Sequence, residues 1–288
     1  MPIHSAMEPN IVVLTDFSPA AAQARTYAAA LAAPLGAVVH LVHIYSPVPL
    51  NVEYDMVTPL PMEARYMQQI SHSLEELAAA LPVPATAELL EADWYGAVQQ
   101  TLRNYQPLLL VAGLSKTNGW LDEWLSNRAL PLAHQPGYPL LLVPQELSAV
   151  PVCPPRRLVL AVQDEGFSLT AEARALAPLL DALHIEVVVV TVLPYEQRAA
   201  GEQGFHSAQH CRLAASVSRH DQHKVVHELP ARGIMQAVDE LAADGLVLLD
   251  LGHGWAHTLF EGSVISQVVR QTRVPVLLLP ARPTPPHE

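Results

Sequence analysis

The chain has 288 residues with a formal charge of −12, from 16 Lys and Arg against 28 Asp and Glu. Half of its residues are hydrophobic, which excludes a disordered chain and supplies a sizeable core for about two domains. No apolar run approaches the roughly 18–20 residues of a membrane helix, and the acidic balance without a Lys/Arg stripe argues against nucleic acid and anionic membrane partners.

In chain order, MPIHSAMEPN lacks the basic start and apolar core of a secretory signal. With only two cysteines, Cys153 and Cys211, and no disulfide framework, the expectation is a cytoplasmic protein. Ile11–Ser18, IVVLTDFS, is a short apolar run that breaks at Asp16 and leads into an Ala-rich helical stretch in which Pro34 marks a kink or an end. A second strand pattern covers Val38–Tyr45. Helical and strand patterns then alternate through Leu74–Leu81, Ala85–Ala92, Ala97–Tyr105, Pro107–Gly113 and a helical Leu121–His134. The half closes on YPLLLVP, Tyr138–Pro144. After the proline-rich Gln145–Arg156 the order repeats. LVLAVQDEGFS, Leu158–Ser168, breaks at Gln163–Asp164, and an Ala/Leu helix with an internal Pro178 follows, then EVVVVTVL, Glu186–Leu193. Later pieces are HKVVHEL, IMQAVDELAAD, GLVLLDLG and SVISQVVRQ, and VPVLLLP closes at Pro280.

This internal repeat sets the domains at 1–148 and 156–288. Near-continuous apolar strands alternating with helices predict two tandem doubly wound α/β domains, each a mainly parallel five-stranded sheet covered by helices. Ligands in such folds sit at the carboxyl ends of the strands.

The densest chemistry lies in Leu246–Pro280. A strand ends at Asp250, Gly252 and Gly254 follow, and a helix starts near Gly262-Ser263. Glycines let backbone N–H groups approach an anion, and a helix start adds free donors, so a phosphate cradle is one reading; turn glycines with Ser263 as an ordinary N-cap is the other. His206, His210 and Cys211 have zinc-ligand chemistry at helical spacing, but exposed polar histidines are the commoner outcome, and no metal site is expected. His253 and His257 share the spacing without a third ligand. No Gly-x-Ser-x-Gly elbow or Walker lysine motif is present and no catalytic triad can be assembled, so no enzyme activity is expected. Trp94, Trp120, Trp124 and Trp255 near strand ends suit packing better than a base platform.

The chain resembles the universal stress proteins. Leu14–Tyr45 is similar to the family's opening, and Gly262–Pro280 to its ending. The resemblance implies an adenine nucleotide alpha hydrolase-like fold, ATP or another adenine nucleotide as ligand, and no metal. The family's loop, Gly-x2-Gly-x9-Gly-(Ser/Thr), is damaged in both copies. In the second, Gly252, Gly262 and Ser263 match, with Gly254 nearby, but Leu249 replaces the first glycine, and Asp250 and Glu261 would repel phosphate. In the first, Gly113 keeps the first position, while Lys116 and Ser126-Asn127 replace the rest; Lys116 and Arg128 could meet phosphate. Asp16 is the strand-end acid of the first copy; Gln163 and Asp164 stand there in the second. The resemblance thus implies at most weak nucleotide binding, in the second half, or decayed sites in an interaction scaffold. It also implies an intramolecular pseudo-dimer through the two closing strands, with a homodimer as a further arrangement.

Overall fold

The computed structural model describes residues 9–46, 61–115, 137–147, 154–215, 217–251 and 263–284. In the first half these form β1 (Asn10–Leu14), α1 (Pro19–Ala32), β2 (Val38–Tyr45), α2 (Pro61–Ala79), β3 (Ala85–Glu91), α3 (Trp94–Tyr105), β4 (Leu109–Leu114) and β5 (Leu140–Pro144). In the second half they form β6 (Arg157–Val162), β7 (Phe167–Leu169), α4 (Ala171–Arg174), α5 (Ala177–Ala182), β8 (Glu186–Leu193), α6 (Glu202–His210), β9 (Val217–Val226), α7 (Pro230–Glu240), β10 (Gly245–Asp250), α8 (Val264–Gln271) and β11 (Val276–Pro283). The expected helix over Leu121–His134 lies outside the described residues.

The strands pair in the order β3-β2-β1-β4-β5-β11-β10-β6-β8-β9. Within each half the ladders along this path are parallel, as the two-sided apolar strands require; the short β7, off the path, pairs antiparallel with β11. The halves meet where β5 and β11 pair antiparallel, with Leu140, Leu141 and Leu142 opposite Leu278, Leu277 and Val276. Alternate residues face opposite layers. Ile11 and Val13 belong to one buried cluster, Val12 and Leu14 to the other, and each cluster takes residues from both halves. Leu142 and Val276 are fully buried, so the join is core rather than edge.

Local chemistry accounts for the helix limits. Ser18 Oγ accepts from Ala21 N at 3.1 Å and Pro19 occupies the first turn, both favourable at a helix start. Around Pro34, α1 gives way to a short 3-10 turn closed by Gly36 at φ 61°. Pro178 falls in the first turn of α5, dividing the expected second-half helix into α4 and α5. The sequence also does not announce β7, which pairs with Ala281–Pro283 at the far end of β11. In the region after the second strand of this half, residues 202–210 are helical and Val217–Val226 is a strand.

At the sheet end where β1 begins, His40 is held between partners. Its Nε2–H donates to Asn10 Oδ1 at 3.0 Å, its Nδ1 pairs with Thr86 Oγ1 at 2.7 Å, and its ring stacks on Tyr105 at 4.1 Å. Burial lowers the His40 pKa below its ordinary 6.5.

Two measurements test this layout. Leu142→Ala leaves a cavity in the join and is expected to cost about 2–5 kcal/mol in urea denaturation; a cost near zero would place Leu142 outside the core. For His40, the unfolded chain takes up the proton first as pH falls through 6.5, so part of the stability is lost as the solution acidifies. Denaturation at stepped pH should show this slope reduced in His40→Gln; an unchanged slope would contradict the assignment.

Candidate functional site

The two halves place different clefts at the carboxyl ends of their central strands. Gly113 pairs with Val143 and Leu249 with Leu279, each one residue before the closing proline. They therefore occupy equivalent positions in β4 and β10, and their difference decides the geometry around them.

In the first half, α1 starts directly beyond β1. A Cβ added at Gly113 would lie 2.3 Å from the Ala20 carbonyl carbon and 2.5 Å from Ala21 N. Gly113 is thus a contact through which α1, rich in alanine, sits against β4. Asp16 caps the same turn locally: its Oδ1 accepts from Ser18 N at 3.0 Å. His43 Nδ1–H donates to the Thr15 carbonyl at 2.7 Å, and Phe17, at φ 62°, packs its ring 5.0 Å from that of His43. What remains beside Asp16, His43, Trp94 and Gly113 is a cavity of about 60 Å³, far below the roughly 300–1,000 Å³ of ligand sites. Lys116, Ser126, Asn127, Arg128, Trp120 and Trp124 lie outside the described residues.

In the second half, no helix begins directly after β6. The chain runs through Gln163–Gly166 into β7, and the first helical turn waits until α4. The Leu249 side chain takes the place that Gly113 leaves open. The result is a cleft of about 370 Å³, with Leu248, Leu249, Leu251, Val192, Leu193 and Ile234 among its apolar walls. Its polar side chains are Gln163, Asp164, Glu165 and Gln197; no Lys or Arg is among the described residues that line it. Asp164 is partly engaged, since its Oδ1 accepts from Gln203 N at 3.1 Å in the first turn of α6, where a carboxylate suits the helix dipole.

Val264 closes one side of the cleft, and Ser263, just before it, is the N-cap of α8. Ser263 Oγ accepts from Ser266 N at 3.1 Å and the residue is buried, so the capping role anticipated for it is filled. Asp250, at the end of β10, is buried as well. Gly252, His253, Gly254, Trp255, His257, Glu261 and Gly262 lie outside the described residues; of the remaining second-half candidates Asp164 lines the cleft, and Ser263 precedes Val264, which lines it. Asp16 and Gly113 meet in the other half.

His206 and His210 lie one turn apart on α6, and Cys211 is its C-cap. His210 Nδ1–H donates to the His206 carbonyl at 2.7 Å, and the buried Cys211 Sγ–H donates to the Ala208 carbonyl at 3.0 Å. Burial pushes the Cys211 thiol up, away from the thiolate a metal needs. Among the described residues, no group of three His, Cys, Asp or Glu is placed to hold a metal. Cys153 lies outside the described residues.

Sequence reasoning did not find the apolar lining. The one signal for it was Leu249 in a glycine position; Val192 and Ile234 read as ordinary core from their own segments.

The universal stress protein family matches residues 7–144 and 155–280. The chain belongs to that family, as a tandem member carrying two copies. Curated proteins give no match. Among solved structures, a universal stress protein from Archaeoglobus fulgidus is similar at 14% identity and TM-score 0.62, covering 93% of this chain and 95% of that one. A putative universal stress protein from Pseudomonas aeruginosa is similar at 13% identity and TM-score 0.54, covering 96% and 94%. The cytoplasmic domain of a prokaryotic cation chloride cotransporter is similar at 12% identity and TM-score 0.51, covering 94% and 95%. At these identities the likeness is one of fold. No helix among the described residues is long and apolar enough to cross a membrane.

The Gly113 contact is directly testable. Gly113→Ala forces its methyl into the α1 backbone, and overpacking of this kind costs about 1–3 kcal/mol. Thermal unfolding should register the loss; a variant as stable as the parent would show that α1 does not rest on this position.

Proposed function

We propose that the chain is a non-catalytic, ligand-responsive stress protein whose second half holds an adenine nucleotide weakly. The observation that carries this reading is the difference in cleft size, about 370 Å³ at the ends of β6 and β10 against about 60 Å³ in the first half. The base and ribose would lie against Val192, Ile234 and Leu249, and the phosphates would run toward Ser263 and the sequence glycines Gly252, Gly254 and Gly262. The apolar walls suit the base. Asp164 and Glu165 oppose a phosphate chain, because like charges at close range disfavour an anion. With no nucleophile and base pair among the described residues of the cleft, ATP would be bound and not turned over.

A second reading, a nucleotide-free interaction scaffold, is favoured by the same Leu249 and by the partly engaged Asp164. Calorimetry with ATP and with adenosine separates the two. Weak binding predicts a Kd in the tens of micromolar or above, about −6 kcal/mol, with adenosine within about threefold of ATP because the phosphates add little. Ile234→Trp, which fills the cleft, should abolish the heat. No heat with either ligand would favour the scaffold, and binding that survives Ile234→Trp would refute the placement. Steady-state ATP hydrolysis should stay at background.

A further inference from the structure

We infer that the second half carries a separate site for a small organic anion, in a groove beside the cleft and independent of it. The groove, of about 1,000 Å³, is lined by Phe167, Ser168 and Leu169 of β7, Arg174 of α4, His206, Ser207 and His210 of α6, and Cys211-Arg212 just beyond. Phe167 lines both the groove and the cleft, so the chain between β6 and β7 is the wall that divides them.

Charge sets the groove apart from the rest of the surface. The whole chain carries −12 and only 16 Lys and Arg, yet the described residues of this groove include two arginines and no Asp or Glu. Among the described residues neither guanidinium is ion-paired. Two arginines that face one groove from different elements, with no carboxylate among its described lining, leave a local excess of donors. Guanidinium groups hold phosphate and carboxylate oxygens through paired N–H donors.

The walls of the groove are also fixed by close contacts. Ser207 Oγ accepts from Phe167 N at 3.1 Å, tying α6 to β7. A Cβ at Gly204 would lie 1.9 Å from the Gln163 carbonyl oxygen, so α6 sits hard against the end of β6. Thr284 N donates to the Gly166 carbonyl at 2.8 Å, which fixes the far rim. Arg174 Nη1 donates to the Leu169 carbonyl at 2.7 Å, which holds that guanidinium at the groove while leaving its other donors unassigned. The His206 and His210 spacing, which suggested a metal in sequence, is the α6 face of this groove. The first half has no counterpart, because no strand between β1 and α1 corresponds to β7. The ligand is an organic phosphate or carboxylate of small-molecule size, its oxyanion between Arg174 and Arg212 and its body along β7.

Phenyl phosphate, with phenol as its uncharged counterpart, is the probe. Titrated into the full chain and followed by amide chemical shifts, phenyl phosphate should saturate with a Kd below about 1 mM and move Ser207, Cys211 and Arg212 but not Ile234 or Leu249. Phenol should not. Arg212→Gln should weaken binding by about tenfold or more, and Arg174→Gln with Arg212→Gln should abolish it, while Arg103→Gln in the first half leaves it intact. Because Arg174 also holds Leu169, Arg212→Gln alone suffices if the double variant unfolds. Absence of saturable binding, equal binding to Arg212→Gln, or shifts centred on Ile234 would each overturn the inference.

Discussion

The antiparallel join of β5 and β11 is the contact on which the molecule depends. Each half ends its sheet with a strand of consecutive leucines, Leu140–Leu142 and Leu277–Leu279. A strand of that composition cannot remain at an open edge, since its unpaired backbone and two apolar faces invite association. Pairing the two edges turns both into interior strands. It also merges the layers, so that each buried cluster runs from one half into the other. The repeat thereby becomes a single continuous sheet, and each half is free to change elsewhere without losing that frame.

The changes concentrate at the carboxyl ends of the central strands. At one position of the repeat, glycine in β4 admits the first turn of α1, and leucine in β10 fills the corresponding space. The first half consequently closes its cleft with a helix. The second half delays its helix, inserts β7, and pairs that strand with the tail of β11. Two cavities result from this one rearrangement: the apolar cleft on one side of Gln163–Phe167 and the arginine groove on the other. Leu249 thus goes with a wider structural difference between the two copies, and the packing role of Gly113 explains why glycine stands at the equivalent position of the first.

The sheet was legible because its determinants are local and repeated. Apolar runs and the prolines at 34 and 178 act within a few residues, and their recurrence in both halves made the pattern secure; the cap at Ser263 was legible from its own segment in the same way. The candidate site was less legible because its determinants are distant. Phe167–Leu169 is too short to read as a strand, and it exists through Ala281–Pro283 more than a hundred positions away. The helical turn bearing His206 and His210 is stabilised by docking, through Ser207 and Gly204, rather than by its own propensity. The basic groove was invisible for the same reason: Arg174 and Arg212 come together only after α4, β7 and α6 are in place.

The claim that the two halves form one cooperative sheet is tested most directly by native-state hydrogen exchange in low denaturant. Amides of β1, in the middle of the first half, and of β10, next to the join in the second, should open with the same free energy, within about 1 kcal/mol, and with the same denaturant dependence. Exchange in which one half opens at a clearly lower free energy, while the other keeps full protection, would show that the join does not unite them.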